Sequence, residues 1–291
     1  MDRSNLPVIL NFDNAIGDIG PATTIELGDW QERIRFGCSL ETLQKLNNLL
    51  HEIMPPEYGS VLLGSGDYHH LSWPLIERKK AQGPLQIIVF DNHPDNMRFP
   101  LGVHCGSWVR KVALLPYVSH VHVLGISSQD ISWRGAFENY LWPLLRGKLT
   151  YWCMDVDVRW ASLLGLQKSF RCFADPDNLI KTFLNELKLQ PTYLSIDKDA
   201  LSEKVVKTNW DQGRMLEQHL SQVIGALRGY IIGSDITGDV SVWHYSTWWK
   251  KTLSGLDGQT EIPEALLQQW QRQQNELNRR LLQEIAAATI I

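Results

Sequence analysis

Short apolar runs rich in branched side chains recur along the chain, and longer stretches with helical spacing of apolar residues lie between most of them. A run of four to six apolar residues bounded by turn residues is typical of a buried strand. Strands alternating with helices indicate a parallel α/β sheet. We predict strands at residues 7–12, 60–63, 85–90, 120–125, 149–154, 192–196 and 229–233.

The helix-compatible stretches carry their own start signals. Residues 40–53, 177–187 and 215–227 are predicted helices, and Asp175-Pro176-Asp177 marks the start of the second. A final helix is predicted from the Glu261-Ile262-Pro263-Glu264 segment through about Ala286. One of its faces carries apolar residues, so we expect it to pack on the sheet or on a neighbouring subunit. These residues are Leu266, Trp270, Leu277, Leu281 and Ile285.

Acidic and imidazole side chains alternate directly after two of the predicted strands. Asp91, His93 and Asp95 follow the run at 85–90, and Asp197 and Asp199 follow the run at 192–196. Residues two apart in extended backbone point to the same side, so both groups can face one pocket. Four like charges in one cleft repel and raise each other's pKa unless a cation neutralises them. The joint pattern predicts a metal site, although any one of these aspartates alone could simply cap a loop.

The ligand atoms are oxygen and imidazole nitrogen without thiolate. This set suits manganese, iron or magnesium better than a structural zinc site, and zinc stays an alternative. Carboxylates shared between two ions favour a pair of metals that holds a bridging water and lowers its pKa toward about 7. We therefore expect two divalent ions.

Size and charge limit the class of protein. The chain has 291 residues, 44% hydrophobic content and a net charge of -4. One core of this size predicts a single domain over residues 1–291. Interspersed charges without a basic stripe argue against nucleic acid as a partner. Residues 1–5 lead into an apolar run too short for a signal peptide or a membrane span, so we expect a cytoplasmic protein. The scattered cysteines predict reduced thiols; they are Cys38, Cys105, Cys153 and Cys172.

Two further strand ends carry polar groups. A glycine-rich segment with Asp67, His69 and His70 follows the strand at 60–63, and Ser234 to Asp239 follows the strand at 229–233. Ligands bind beyond the carboxyl ends of strands in open parallel sheets. Four strand ends therefore bring ionisable groups to one edge.

The order of these motifs resembles that of the arginase and agmatinase ureohydrolases, within the wider arginase/deacetylase fold. That family has, in order, a Gly-Gly-Asp-His segment, Asp-Ala-His-x-Asp, a His-Gly segment, an Ile-Gly-Ile-Arg strand, Ser-x-Asp-x-Asp and Asp-x-x-Glu. The resemblance implies a three-layer α/β/α fold with a mostly parallel central sheet. The counterparts here are residues 64–70, 91–95, 104–106, 124–127, 195–199 and 235–238.

The resemblance also implies roles for individual residues. His104 resembles the histidine that shuttles protons, where a near-neutral pKa would suit protonation of a leaving amine; a structural role is the alternative. The family places its sixth metal ligand directly after the aspartate of the glycine segment, where this chain has Tyr68, so His69 is the expected ligand and His70 the alternative. The resemblance implies a site for two Mn²⁺ ions, with another divalent metal as the alternative. The implied metal ligands are His69, Asp91, His93, Asp95, Asp197 and Asp199.

The chain departs from the family where the substrate binds. Gly238 stands in place of the glutamate that holds a guanidinium group, with Asp239 one position later. The loop after Asp199 also lacks the family's proline-rich and glycine-rich sequence. His70, Asp235 and Asp239 are the expected substrate-binding residues. Asp155 and Asp157 form another alternating pair, which we interpret as unrelated to the site.

We therefore expect a metal-dependent hydrolase of a non-peptide C–N bond in a small guanidino, amidino or amide substrate, acting through hydroxide that bridges two metals. One alternative is a deacetylase-like amidohydrolase with a single metal, because residues 233–239 also resemble the corresponding loop of histone deacetylase relatives. The other is a catalytically silent metal-binding protein. The expected partner is a small-molecule substrate, and assembly with further copies of the chain into a homo-oligomer is left open.

Overall fold

A nine-stranded sheet runs through the part of the chain that this computed structural model describes, residues 5–256 and 262–289. Every neighbouring pair of its strands is parallel. The order across the sheet is β2-β1-β4-β11-β10-β5-β7-β8-β9. These strands are β1 (Val8–Asn11), β2 (Thr23–Glu26), β4 (Val61–Gly64), β5 (Leu85–Phe90), β7 (Val118–Ile126), β8 (Leu149–Met154), β9 (Phe170–Phe173), β10 (Thr192–Asp197) and β11 (Ile231–Thr237); β3 (Gly37–Cys38) and β6 (Val103–His104) form a separate antiparallel pair.

Helices cover both faces of the sheet. Along β5, Ile87 and Val89 join the apolar cluster on one face, and Ile88 and Phe90 join the cluster on the other. This alternation follows from the two-residue period of a strand, and a strand buried on both faces needs apolar residues at every position. The prediction of a three-layer α/β/α fold is confirmed. The helices are α1 (Gln31–Ile34), α2 (Leu40–Ile53), α3 (Ser72–Glu77), α4 (Val109–Ala113), α5 (Trp142–Leu145), α6 (Trp160–Leu163), α7 (Pro176–Glu186), α8 (Glu217–Ala226), α9 (Trp248–Leu256) and α10 (Glu264–Ala288).

The predicted strands match the sheet with one error that affects the site. Strands 85–90 and 149–154 agree with β5 and β8 to the residue. The strand predicted at 229–233 actually runs to Thr237, so Asp235 lies inside β11 and not in the loop after it. Strands β2 and β9 were not predicted, because both are short strands at the sheet edges and each has only one buried residue.

The long C-terminal helix packs on the sheet over its second half. Leu277, Leu281 and Ile285 of α10 belong to the apolar cluster that also contains residues of α7 and α8. Leu266 is 40% exposed, so the first turns of α10 do not share this contact. Glu261 of the predicted helix start and residues 1–4 lie outside the described residues. No helix in the described part is long and apolar enough to cross a membrane.

The cysteines differ from the prediction of four reduced thiols. Cys153 on β8 and Cys172 on β9 are direct neighbours across the two parallel strands and form a disulfide. Cys38 and Cys105 are free and buried. The separation of 19 residues in sequence gave no sign of this pairing, because it depends on the register of an edge strand that was not predicted.

Candidate metal centre

A tight turn after β4 brings the first histidine to the centre of the sheet edge. Gly64 ends the strand at φ +83°, a conformation that favours glycine. The chain then forms a short 3₁₀ helix, Gly66–Leu71, whose start is capped by the Ser65 side chain. Arg35 Nε donates to Asp67 Oδ2 at 2.7 Å and anchors this buried turn. These contacts fix His69 beside the strand ends of β5 and β10.

His69 faces three carboxylates. Its Nδ1 lies 2.9 Å from Asp95 Oδ2, 3.2 Å from Asp91 Oδ2 and 3.5 Å from Asp197 Oδ2. Trp108 Nε1 donates to Asp95 Oδ2 at 2.6 Å and holds that carboxylate in place. The group His69, Asp91 and Asp95 therefore presents one nitrogen and two oxygens from buried side chains to a common point.

His93 lies at the centre of a second group that shares Asp91 with the first. His93 Nδ1 lies 2.9 Å from Asp199 Oδ2 and 3.5 Å from Asp91 Oδ1. Asp91 thus turns Oδ2 toward His69 and Oδ1 toward His93. Because one carboxylate belongs to both groups, the arrangement fits two adjacent cations with a shared ligand.

The charges of these groups need a cation. Burial and the charge of Asp91 raise the pKa of both Asp95 and Asp199 to about 7. Burial and the charge of Asp199 raise the pKa of Asp197 well above its ordinary range. Burial also raises the pKa of Asp91, but contacts with the two histidines outweigh it and lower that pKa below its usual value. Burial lowers the pKa of His69 and His93, but the adjacent carboxylates outweigh it and raise both pKa values well above their usual range. A divalent cation of the manganese, iron or magnesium type would displace these protons and take their place among the carboxylates.

The far side of each histidine ring has a polar partner. His69 Nε2 lies 3.0 Å from Ser195 Oγ, which donates to Asp235 Oδ1 at 2.7 Å. Tyr193 Oη donates to Asp235 Oδ2 at 2.7 Å and Ser72 Oγ donates to Asp235 Oδ1 at 3.0 Å. Such outer partners fix the tautomer and the direction of a metal-binding histidine. Asp235 is buried in this network and does not line the cavity, so the expected substrate contact is not made.

Asp211 orients His93 in the same manner. His93 Nε2 lies 2.8 Å from Asp211 Oδ1, and Asn92 Nδ2 donates to Asp211 Oδ2 at 3.0 Å. The residue lies on the loop between β10 and α8 that departs from the family sequence. Sequence reasoning identified this loop as reshaped but assigned no role to Asp211. The only sign in the sequence was an acidic residue on a loop close to the predicted metal site. Its contact with His93 depends on the fold.

Asp239 and His70 also lie away from the cavity, contrary to the expected substrate contacts. Lys198 Nζ donates to Asp239 Oδ1 at 2.6 Å and to Asn278 Oδ1 at 2.9 Å, and all three side chains are buried. Neither ring nitrogen of His70 has a hydrogen-bond partner among the described residues. Burial lowers the pKa of His70 well below its usual value, so the ring is neutral.

Gly238 stands at a position where neighbouring atoms leave no room for a side chain. Its φ is +88°, and an added Cβ would lie 2.5 Å from Asp197 Oδ1 and 2.8 Å from the backbone nitrogen of Lys198. Any side chain at this position would displace Asp197. Glycine at this position is therefore needed for the packing against Asp197 at the end of β10.

His104 lines the cavity, but its ionisation differs from the expectation. Its Nδ1 accepts a hydrogen bond from the backbone N–H of Gly106 at 3.0 Å. Burial lowers the pKa of His104 to about 4, whereas the expected proton donor had a near-neutral pKa. At neutral pH the ring is uncharged with its proton on Nε2, so it can donate a hydrogen bond but holds no extra proton.

A cavity of about 410 Å³ opens above these groups. Five large apolar side chains form part of its wall: Phe36, Met97, Phe99, Trp210 and Leu253. Charged side chains of Arg98, Asp130 and Glu138 also line it. Asp155 and Asp157 lie elsewhere, paired with Arg214 and Arg159. The structure brings together at this cavity His69, Asp91, His93, Asp95, His104, Asp197 and Asp199.

No family model matches the chain. An uncharacterized protein from Thermotoga maritima is 29% identical over 209 residues, which are 72% of this chain and 68% of that protein. The agmatine ureohydrolase of Thermoplasma volcanium superposes with a TM-score of 0.55 at 13% identity, over 99% of this chain and 90% of its own. This chain has the ureohydrolase fold. A formiminoglutamase variant from Trypanosoma cruzi with Mn²⁺ also superposes, with a TM-score of 0.53 at 12% identity over 99% and 95% of the two chains.

Proposed function

We propose that this protein is a metal-dependent hydrolase of a non-peptide C–N bond in a small guanidino, amidino or amide compound. The observation that supports it most directly is the pair of three-residue groups that share Asp91. Two divalent ions, which we propose to be Mn²⁺, would when bound supply the positive charge that activates water for attack on a planar carbon. The ureohydrolase fold and the Mn²⁺ in the similar formiminoglutamase support this choice.

The side chains of this protein would hold and orient the reactants. Ser195 and Asp211 fix the outer nitrogens of His69 and His93, so each ring directs Nδ1 at the carboxylates. His104 directs a neutral ring at the cavity and would donate from Nε2 to a substrate atom.

A substrate panel tests this function. The Mn²⁺-loaded protein is incubated with guanidines, amidines and acylated amines, and release of urea, ammonia or carboxylate is measured. We expect turnover of at least one class and its loss in Asp91→Asn. Asp157→Asn is the matched control, because Asp157 is a surface residue outside this cavity. Stoichiometric metal binding without turnover of any class would contradict the proposed hydrolysis and favour a silent metal-binding protein, which the glycine at 238 would permit.

A further inference from the structure

Three charged side chains line the cavity without belonging to the metal centre. Arg98 presents a guanidinium group, and Asp130 and Glu138 present carboxylates. Arg98 and Glu138 are exposed and Asp130 is half-buried, so a molecule that enters the cavity can reach all three. None of them forms an ion pair with another residue in the described part of the chain. One positive and two negative groups are therefore open to a ligand.

The loop that carries Arg98 begins at a metal ligand. Asn96 directly follows Asp95 and binds Tyr140, which lies on the segment between β7 and α5. The Tyr140 N–H donates to the carbonyl oxygen of Asn96 at 3.1 Å, and Asn96 Nδ2 donates to the carbonyl oxygen of Tyr140 at 2.8 Å. The backbone N–H of Arg98 donates to the carbonyl oxygen of Glu138 at 2.7 Å. These bonds place the backbone of Arg98 beside that of Glu138 and connect both to the metal site.

Asp130 is held at the other end of the segment between β7 and α5. Ser128 Oγ donates to Asp130 Oδ2 at 3.0 Å, and Asn139 Nδ2 donates to the carbonyl oxygen of Asp130 at 2.8 Å. A Cβ added to Gly135 would lie 2.2 Å from that carbonyl oxygen, so the segment closes tightly on itself. The backbone of each charged residue is thus fixed before a ligand binds, which lowers the entropic cost of binding.

The three groups match the two charges of an amino acid. A guanidinium group donates two parallel hydrogen bonds to a carboxylate, and carboxylates accept from the three donors of an ammonium group. A ligand with a carboxylate alone would meet the like charges of Asp130 and Glu138, and a ligand with an ammonium group alone would meet that of Arg98. Among the described residues that line the cavity, the other charged side chain outside the two metal-binding groups is Asp211, which is bound to His93.

We infer that the substrate is an amino acid, that Arg98 binds its carboxylate, and that Asp130 and Glu138 bind its amino group. This inference rests on the proposed hydrolysis and adds the substrate class. The side-chain nitrogen of the substrate carries the acyl, amidino or guanidino group, which would lie at the metal ligands that line the same cavity. Hydrolysis leaves the same amino acid with an unsubstituted side-chain amine. The three residues determine specificity and take no part in the chemical step.

Analogues built on one carbon skeleton test these contacts. Each carries a guanidino or an acetylated amino group at one end, and at the other end both an amino and a carboxyl group, the amino group alone or the carboxyl group alone. The variants are Arg98→Gln and Glu138→Gln, loaded with Mn²⁺. Arg110→Gln is the matched control, because its guanidinium lies over the Tyr140 ring at 3.8 Å, as that of Arg98 does at 5.5 Å, but Arg110 does not line the cavity. Calorimetry measures binding of the amino acid with the unsubstituted side-chain amine, which requires no turnover.

We expect the wild type to have its highest kcat/KM on the complete amino acid. Arg98→Gln should lower that value by about 10–100-fold, the effect of losing a hydrogen bond between charged groups, and should thereby remove the preference over the analogue without a carboxyl group. Glu138→Gln should reduce the preference over the analogue without an amino group. Arg110→Gln should keep the wild-type preferences.

The outcomes separate this inference from the proposed hydrolysis. Equal kcat/KM for all three analogues, unchanged in Arg98→Gln, would overturn the substrate class and leave the hydrolase in place. An equal loss in Arg98→Gln and Arg110→Gln would also overturn it. Binding of the amino acid without turnover, weakened in Arg98→Gln alone, would support these contacts and contradict hydrolysis. Absence of both binding and turnover, with metal bound, would overturn the two proposals together.

Discussion

Lys198→Met removes the positive charge from a buried ion pair with Asp239. Lys198 lies between Asp197 and Asp199 in the sequence. Lys198 and Asp239 are both fully buried, and their charged atoms lie 2.6 Å apart. Lys198 Nζ also donates to Asn278 Oδ1 at 2.9 Å and so connects this segment to α10. Asp239 Oδ2 has no partner among the described residues, so loss of Lys198 leaves Asp239 with one hydrogen bond from Asn278.

Removing one partner of a buried ion pair typically lowers the free energy of unfolding by about 3–5 kcal/mol, because the other charge stays buried. At about 2–4 °C per kcal/mol, the melting temperature should fall by roughly 6–20 °C. Methionine fills a volume close to that of lysine, so cavity formation should add little. In Lys198→Met/Asp239→Asn the uncompensated charge is gone, and we expect more than half of the loss to be recovered.

The assay is thermal and urea unfolding with the metal chelated, followed by Mn²⁺ titration of the same samples. Chelation separates the stability of the fold from the stabilisation that bound metal adds. Lys45→Met is the control, because Lys45 and Glu41 form an ion pair at the surface. We expect it to unfold like the wild type. If Lys198→Met lost no more stability than this control, the assignment of the buried pair as a structural link would be wrong.

Three further predictions concern the site and the core. Asp211→Asn should lower the affinity for one of the two proposed metal ions by about 10–100-fold, because loss of the outer partner of a metal-binding histidine has effects of this size; calorimetric titration with Mn²⁺ measures the affinity. Gly238→Glu should not create arginine hydrolysis but should reduce metal content, because its Cβ would collide with Asp197; metal analysis that found both ions retained would refute this. Burial lowers the pKa of His120 to about 4. Between about pH 6.5 and 4 the unfolded chain therefore binds this proton and the native protein does not, so the free energy of unfolding decreases as the pH is lowered through that window. His120→Gln should flatten this slope by up to ~1.4 kcal/mol per pH unit, which urea unfolding at several pH values measures.

The sequence predicted the site best where ionisable residues directly follow a strand that can be recognised from its apolar pattern. Asp91, His93 and Asp95 directly follow a fully apolar strand, and Asp197 ends the next buried one, so the edge on which they meet followed from the parallel sheet. The choice of His69 over His70 rested on motif order, and the short helix after β4 turns only His69 toward the carboxylates.

Other features depend on contacts between distant segments, which have no local pattern. Trp210 and Asp211 lie on an irregular loop whose path is fixed by bonds to Ser241 and His93. Asp239 looked like a substitute for the missing glutamate, but Lys198, at an ordinarily variable motif position, draws it into the interior. The pKa of His104 likewise reflects its burial, which sequence does not report.

The central claim is that Asp91 joins two metal positions. The most direct test is metal content per chain by elemental mass spectrometry after Mn²⁺ reloading, for the wild type beside Asp197→Ala and Asp157→Asn. We expect two ions per chain in the wild type and in Asp157→Asn, and loss of metal in Asp197→Ala with the fold retained. One ion in the wild type would contradict the shared-ligand arrangement and favour a single-metal amidohydrolase, and no ion would contradict the metal centre itself.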